Sequence, residues 1–118
     1  MAYIKWVPGE LITIAETALF VRQAEKVWDD AEREAFVSFI AAHPEAGDIV
    51  PETGGVRKVR WSRSGSGKRG GARVIYYYSD PRRPLYLLMV YAKARQEDLD
   101  PDEKREIRRL TAFLKGKR

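Results

Sequence analysis

Seven basic side chains without an acidic neighbour set the segment from Thr53 to Ser79 apart from the rest of the chain. The segment holds no Asp or Glu, and its cations are Arg57, Lys58, Arg60, Arg63, Lys68, Arg69 and Arg73. The whole 118-residue chain carries a formal charge of +5, so a segment of +7 leaves −2 for the remainder. Because clustered like charges repel one another, such a surface favours a bound anion, and Lys and Arg commonly contact nucleic-acid phosphates.

Alternation along the first predicted meander strand, Val56–Ser62, selects two of these cations. Successive side chains of a strand point to opposite faces, which puts Val59 and Trp61 on one face. Lys58 and Arg60 lie together on the other. Since Val59 and Trp61 are apolar, we expect their face to meet the core and the two cations to be presented away from it.

The next predicted strand, Ala72–Ser79, places Arg73 and Tyr77 on a shared face. Aromatic rings stack on unpaired bases, and cations hold the phosphates of a single strand. Between the two strands, residues 62–71 form a turn rich in Gly, Ser, Lys and Arg, whose cations are interpreted as loop contacts. The predicted partner is RNA, and the residues predicted to bind it are Arg57, Lys68, Arg69, Tyr77 and Arg95.

Other kinds of site find no support in the residue types. The chain has no cysteine and a single histidine, His43, whose place before Pro44 is typical of a helix end. No spacing of potential ligands indicates a metal site, and no phosphate-cradling G-x-x-x-x-G-K-[ST] pattern occurs. We therefore predict no metal and no cofactor. The absence of an apolar run of roughly 20 residues predicts no membrane partner, and the lack of cysteine suits the cytoplasm.

The predicted elements follow the order β-α-α-β-β-β-α in a single domain, residues 1–118, and residues 1–10 are expected to form a flexible N-terminal extension. They are a strand at Leu11–Ala15, a helix capped by Thr17, a helix opened by the capping box Asp29–Glu32, strands at Val56–Ser62, Ala72–Ser79 and Leu85–Ala92, and a helix that begins at Asp100-Pro101. This order predicts an α+β fold, with an antiparallel meander sheet packed by two N-terminal helices and a C-terminal helix.

Several blocks of the sequence together resemble a known family. They are Pro44-Glu45-Ala46-Gly47-Asp48, G-G-V-R-K-V-R-W from Gly54 to Trp61, G-K-R-G-G-A-R-V-I-Y-Y-Y from Gly67 to Tyr78, and Tyr91-Ala92-Lys93 with Glu97-Asp98-Leu99. These blocks resemble the HigB-like branch of the RelE/ParE superfamily, the toxins of type II toxin–antitoxin systems. The RelE-like fold that this resemblance implies agrees with the element order derived above.

The resemblance implies an endoribonuclease, an mRNA interferase that inhibits translation by cutting messenger RNA in the ribosomal A site without a metal. It also implies a cognate antitoxin, usually one with a helix-turn-helix DNA-binding domain. The basic catalytic residues of the superfamily fall on Lys58, Arg60, Arg73 and Lys93.

One catalytic residue of the best-known relatives has no counterpart at its usual place. Those relatives carry a tyrosine in the C-terminal segment, where this chain has Gln96-Glu97-Asp98-Leu99. Its role is unfilled or belongs to Tyr76, Tyr77 or Tyr91. Two other functions stay open: a non-enzymatic gyrase poison like the ParE branch, and an RNA-binding module that does not cleave.

Overall fold

The computed structural model describes residues 2–7, 10–62, 71–93 and 99–116, and within these ranges the side chains from Ile12 onward. The described residues form six strands and three helices. In chain order, they are β1 (Ala2–Val7), β2 (Glu10–Glu16), α1 (Ala18–Val27), α2 (Asp30–Ala42), β3 (Asp48–Ile49), β4 (Arg57–Trp61), β5 (Ala72–Tyr77), β6 (Leu85–Ala92) and α3 (Pro101–Gly116).

The strands of the described residues form one sheet in the order β1-β2-β6-β5-β4-β3. Neighbouring strands are antiparallel except β2 and β6, which run parallel and pair Ile14 with Leu85. β6 is therefore a central strand, and most of its side chains are buried. Its nearly continuous apolar sequence is typical of such a strand, because a strand covered on both faces buries successive side chains.

Beyond the end of β2, the start of helix α1 supplies hydrogen-bond partners for the backbone of β6. The Thr17 N–H donates to the Leu87 carbonyl, and the Thr17 hydroxyl donates to the Leu88 carbonyl, both at 3.1 Å. Farther along, the Val90 N–H donates to the side-chain oxygen of Gln23 at 2.9 Å. Buried backbone groups need partners, and these bonds supply them while fixing α1 against the sheet.

Both faces of the sheet are covered. The α1/α2 face packs against helices α1 and α2, and its cluster is Ile12, Ile14, Phe20, Ala24, Phe36, Val37, Ile40, Ala41, Val59, Ala72, Val74, Tyr76, Leu85, Leu87 and Val90. The α3 face packs against helix α3, and its cluster is Val56, Ile75, Tyr77, Leu88, Met89, Tyr91, Leu99 and Ile107.

The helices begin where the sequence predicted. The Thr17 hydroxyl accepts a hydrogen bond from the Phe20 N–H at 3.0 Å and caps α1. Asp29 and Glu32 form a capping box at the start of α2. His43 is the C-terminal cap of that helix, as its place before a proline predicted. At α3, Asp100 and Glu103 exchange the same pair of side-chain-to-backbone bonds.

The predicted α+β class and helix–helix–meander–helix order are confirmed. The structure adds β1, which pairs with β2, so the described part of the segment 1–10 that was expected to be flexible includes an edge strand of the sheet. It also adds β3, whose two residues are too few to show any periodicity. Within the described ranges, no helix is long and apolar enough to cross a bilayer.

Candidate nucleic-acid interface

A row of three side chains crosses the α3 face of the sheet. Arg60 of β4 pairs with Arg73 of β5, which pairs in turn with Tyr91 of β6. Residues paired across strands share a face, and Tyr91 belongs to the cluster of the α3 face. The row therefore puts two guanidinium groups and a phenol on one side of the sheet.

Two lysines flank this row. Lys58 precedes Arg60 by two residues and pairs with a member of the α3-face cluster. On the other flank, the Lys93 N–H donates to the Gly71 carbonyl at 3.0 Å and continues the β5–β6 ladder by one pair. Rows on one face are about 7 Å apart, twice the rise per residue. The set is called the basic rows below and consists of Lys58, Arg60, Arg73, Tyr91 and Lys93.

The members of the basic rows differ in exposure. Arg60 is exposed, Lys58 and Lys93 are half-buried, and Arg73 is only 5% exposed. Burial restricts the Arg73 side chain to few positions, whereas Arg60 can reach into solvent. The arrangement thus combines a buried guanidinium within the sheet with an exposed one and with two half-buried lysines.

Trp61 determines which face of the sheet the side chains at the end of β4 point to. Its ring centroid lies 5.5 Å from that of Phe36 and 4.9 Å from that of Phe39, both on α2. Because neighbouring side chains of a strand point to opposite faces, anchoring Trp61 on the α1/α2 face directs Arg60 to the α3 face. The predicted division of this strand, with Val59 and Trp61 inward, is confirmed.

Of the five predicted RNA contacts, only Arg57 and Tyr77 lie among the described residues, and neither is a member of the basic rows. Arg57 is on the opposite face, where its guanidinium donates to the Gly47 carbonyl at 2.7 Å and to the Glu45 carbonyl at 3.3 Å. It anchors the loop after α2, a role that the sequence did not indicate. The remaining three, Lys68, Arg69 and Arg95, lie outside the described residues. Their contacts with RNA stay predictions.

A family model described as the RelE toxin of the RelE/RelB toxin–antitoxin system matches residues 13–117. The chain belongs to the RelE toxin family. It is the toxin of a toxin–antitoxin system, and such toxins pair with antitoxins. The match confirms the superfamily that the sequence motifs indicated, while the HigB-like branch stays a prediction. Among the described residues of this RelE-family toxin, no group of three His, Asp or Glu could hold a metal ion.

The three tyrosines considered for the missing catalytic role occupy different places in the RelE-family toxin. Tyr91 lies in the basic rows beside Arg73. Tyr77 is on the same face but lies four residues after Arg73 along β5, and it is 8% exposed. Its predicted contact with RNA stays a prediction. Tyr76 is on the other face, where its ring is fully buried.

The Tyr76 hydroxyl ties the loop after α2 to the sheet. It accepts a hydrogen bond from the Gly47 N–H at 2.8 Å and donates one to the Pro44 carbonyl at 2.8 Å. Burial raises the pKa of Tyr76 above its usual 10.0, and the bond from Gly47 and the charge of Arg57 oppose that shift only in part. A side chain at Gly47 would come within 2.8 Å of the Lys58 carbonyl oxygen, so glycine allows this close approach.

Proposed function

We propose that this RelE-family toxin is a ribosome-dependent endoribonuclease of the HigB-like branch, which cuts messenger RNA in the ribosomal A site without a metal or cofactor. The observation that supports the proposal is the meeting of the four predicted catalytic cations on the α3 face. Lys58, Arg60 and Arg73 come from two paired strands, and Lys93 directly follows a third. Such a density of cations suits a reaction in which charge develops on a phosphate.

RNA itself supplies the nucleophile for this reaction. The 2′-hydroxyl loses its proton, its oxygen attacks the adjacent phosphorus, and the bond from phosphorus to the 5′-oxygen breaks. The departing oxygen takes up a proton. The products are a 2′,3′-cyclic phosphate and a 5′-hydroxyl. The protein must therefore offer a proton acceptor, a proton donor and groups that stabilise the charge on the phosphate oxygens.

The basic rows offer side chains for each task. Arg60 and Arg73 clamp the phosphate, because a guanidinium can donate two parallel hydrogen bonds to its oxygens. Lys58 or Lys93 accepts the proton of the 2′-hydroxyl. Tyr91 is proposed as the donor to the leaving oxygen, because it is the candidate tyrosine that pairs with Arg73.

Mapping of new 5′ ends by primer extension on ribosome-bound messenger RNA tests the proposal. Brief induction of the wild-type toxin should create such ends, and Lys58→Ala or Arg60→Ala should reduce their rate of formation by about 10²–10⁴-fold. Arg22→Ala is the matched control, because Arg22 is an exposed arginine on α1, on the other side of the sheet. Undiminished cleavage by the Lys58 and Arg60 variants would contradict the assigned roles.

The same induction separates the two alternative functions. A gyrase poison should stop incorporation of labelled thymidine before that of labelled amino acids, whereas a ribonuclease should stop amino-acid incorporation first. An RNA-binding module should inhibit translation without new 5′ ends. Either result would replace the proposed activity.

The proposed setting is the cytoplasm, together with an antitoxin that carries a helix-turn-helix domain. The family pairs a toxin with an antitoxin, and the type of antitoxin is carried over from the resemblance. Co-expression with the protein encoded beside the toxin should restore growth and yield a complex that binds the promoter DNA of the pair. A complex without DNA binding would contradict the helix-turn-helix assignment.

A further inference from the structure

A second cationic site lies away from the basic rows, where the β5–β6 turn meets the end of α3. It is a cleft of about 260 Å³, and its walls include Tyr77, Arg82, Arg83, Tyr86, Leu114 and Lys115. Pro81 and Pro84 are typical of a turn, but nothing in the sequence indicates that the last turn of α3 lies against it. Only the fold brings these cations together.

The turn holds its two arginines in a defined conformation. The Asp80 carboxylate accepts a hydrogen bond from the Arg82 N–H at 2.8 Å, and the Asp80 carbonyl accepts one from the Arg83 N–H at 3.2 Å. Asp at the first position and Pro81 at the second are the residues that a type I turn favours. Pro84 further restricts the chain. A ligand that binds here meets a turn that is already ordered, so binding costs less conformational entropy.

The cleft carries a net positive charge. Among the described residues that line the cleft and the adjoining turn, Arg82, Arg83 and Lys115 contribute three cations and Asp80 contributes one carboxylate. The Arg83 Nε lies 3.7 Å from the Asp80 carboxylate, and both side chains are more than two-fifths exposed. An exposed ion pair of this length holds its partners weakly, so Arg83 can turn toward a ligand.

The residue types fit a phosphate of RNA better than another anion. Arginine forks match the oxygens of a phosphate, and the adjoining phenol rings can pack on a ribose or base. An acidic peptide would use the cations but not the rings. Tyr77 is four residues from Arg73 along β5, or about 13 Å at roughly 3.3 Å per residue. A phosphate in the cleft is therefore not the one that reacts at the basic rows.

We propose that the cleft of Arg82, Arg83 and Lys115 binds an RNA phosphate distant from the scissile one, which would anchor the substrate. The inference rests on the proposed function for the nature of the ligand. It also gives the predicted contact between Tyr77 and RNA a definite place, since Tyr77 lines the cleft.

Binding of a fluorescein-labelled 2′-O-methyl RNA 12-mer to the full-length toxin, followed by fluorescence anisotropy, tests this proposal. The methyl groups block the attacking hydroxyls, so binding is measured without cleavage. Arg82→Ser/Arg83→Ser should weaken binding by about tenfold at 0.1 M salt, which corresponds to about 1.4 kcal/mol. The slope of log affinity against log salt should fall by roughly 0.7, because one phosphate of the single strand is no longer neutralised.

The matched control is Arg105→Ser/Arg109→Ser, which removes the same charge from the exposed surface of α3. Arg105 and Arg109 form ion pairs with Asp102 and Glu106 of their own helix. This variant should bind within about twofold of wild type. If it loses as much affinity as the cleft variant, net charge explains the effect and the site is refuted.

Two further measurements sharpen the outcome. Arg82→Lys/Arg83→Lys keeps the charge, and its RNA affinity should fall by less than about threefold. A loss of affinity as large as that of the serine variant would contradict phosphate binding by these cations.

A labelled polyglutamate peptide should bind weakly. If it binds tightly through the arginines while RNA binding is unaffected, the cleft is a peptide site. RNA binding through the cleft without new 5′ ends on ribosomes would overturn only the ribonuclease.

Discussion

Replacing Tyr76 by Phe distinguishes a tyrosine that holds the fold from one that takes part in chemistry. The Tyr76 hydroxyl is bonded to the Gly47 N–H and the Pro44 carbonyl, both at 2.8 Å, and the side chain is fully buried. Without the oxygen, the buried Gly47 N–H loses its acceptor, which costs about 1–3 kcal/mol. The lost bond to Pro44 adds about 1 kcal/mol. We expect the free energy of unfolding to fall by about 3 kcal/mol in total.

Urea denaturation measures this change directly. For Tyr76→Phe the midpoint should fall while the slope with urea stays constant, because the surface exposed on unfolding is unchanged. At roughly 4 °C per kcal/mol for a domain of this size, Tm should fall by about 12 °C. Tyr86→Phe is the matched control, since Tyr86 is only half-buried at the rim of the cleft. It should shift Tm by no more than about 3 °C.

The pH dependence of stability gives an independent check. Burial raises the pKa of Tyr76 in the folded state above 10.0, the ordinary value for tyrosine. Above pH 10 the unfolded chain therefore loses this proton before the folded chain does, and stability falls as pH rises. The stability difference between wild type and Tyr76→Phe should be constant from pH 7 to 9. It should shrink above pH 10, because the variant lacks the titrating group.

Two results would refute this reasoning. If Tyr76→Phe equals wild type in urea, the two hydrogen bonds contribute nothing to stability. Alternatively, the variant could be folded at the assay temperature and yet cleave RNA a hundredfold more slowly. That outcome would give the Tyr76 hydroxyl a part in the reaction, against its position on the α1/α2 face.

Three further predictions concern other parts of the molecule. Gly47→Ala should lower the free energy of unfolding by about 1–3 kcal/mol in urea, because its Cβ would lie 2.8 Å from the Lys58 carbonyl oxygen. Arg33→Ala should lower it by about 3–5 kcal/mol, because it leaves the fully buried Glu16 carboxylate without its two-bond partner. Tyr91→Phe should unfold like wild type but cleave at least about tenfold more slowly in the primer-extension assay. Equal cleavage would exclude its hydroxyl as the proton donor.

Strand alternation was sufficient to divide β4 correctly. Val59 and Trp61 are apolar and Lys58 and Arg60 are charged, so a single short strand carries an unambiguous pattern. The capping residues marked the helix starts equally well. These features are local, because each depends on a few neighbouring residues and not on distant partners.

Features that depend on residues distant in the chain could not be predicted from the sequence. The register of β5 and β6 shifts between Ile75 and Tyr76, so Leu88 and Met89 both contribute to the α3-face cluster. A continuous apolar run contains no mark of such a bulge. Likewise, the charge of Arg57 predicts an RNA contact. The strand pattern cannot show that carbonyls of the loop after α2 accept hydrogen bonds from this residue.

The parallel pairing of β2 with β6 has a consequence for the growing chain. The sheet joins its second strand to its last, so the centre stays open until residue 92 has been synthesised. Tyr91 and Lys93, which are two members of the basic rows, are synthesised at the same stage. A nascent chain shorter than this has neither a closed core nor a complete set of cations. A nascent chain that has not reached Lys93 therefore cannot present the site that the proposed cleavage requires.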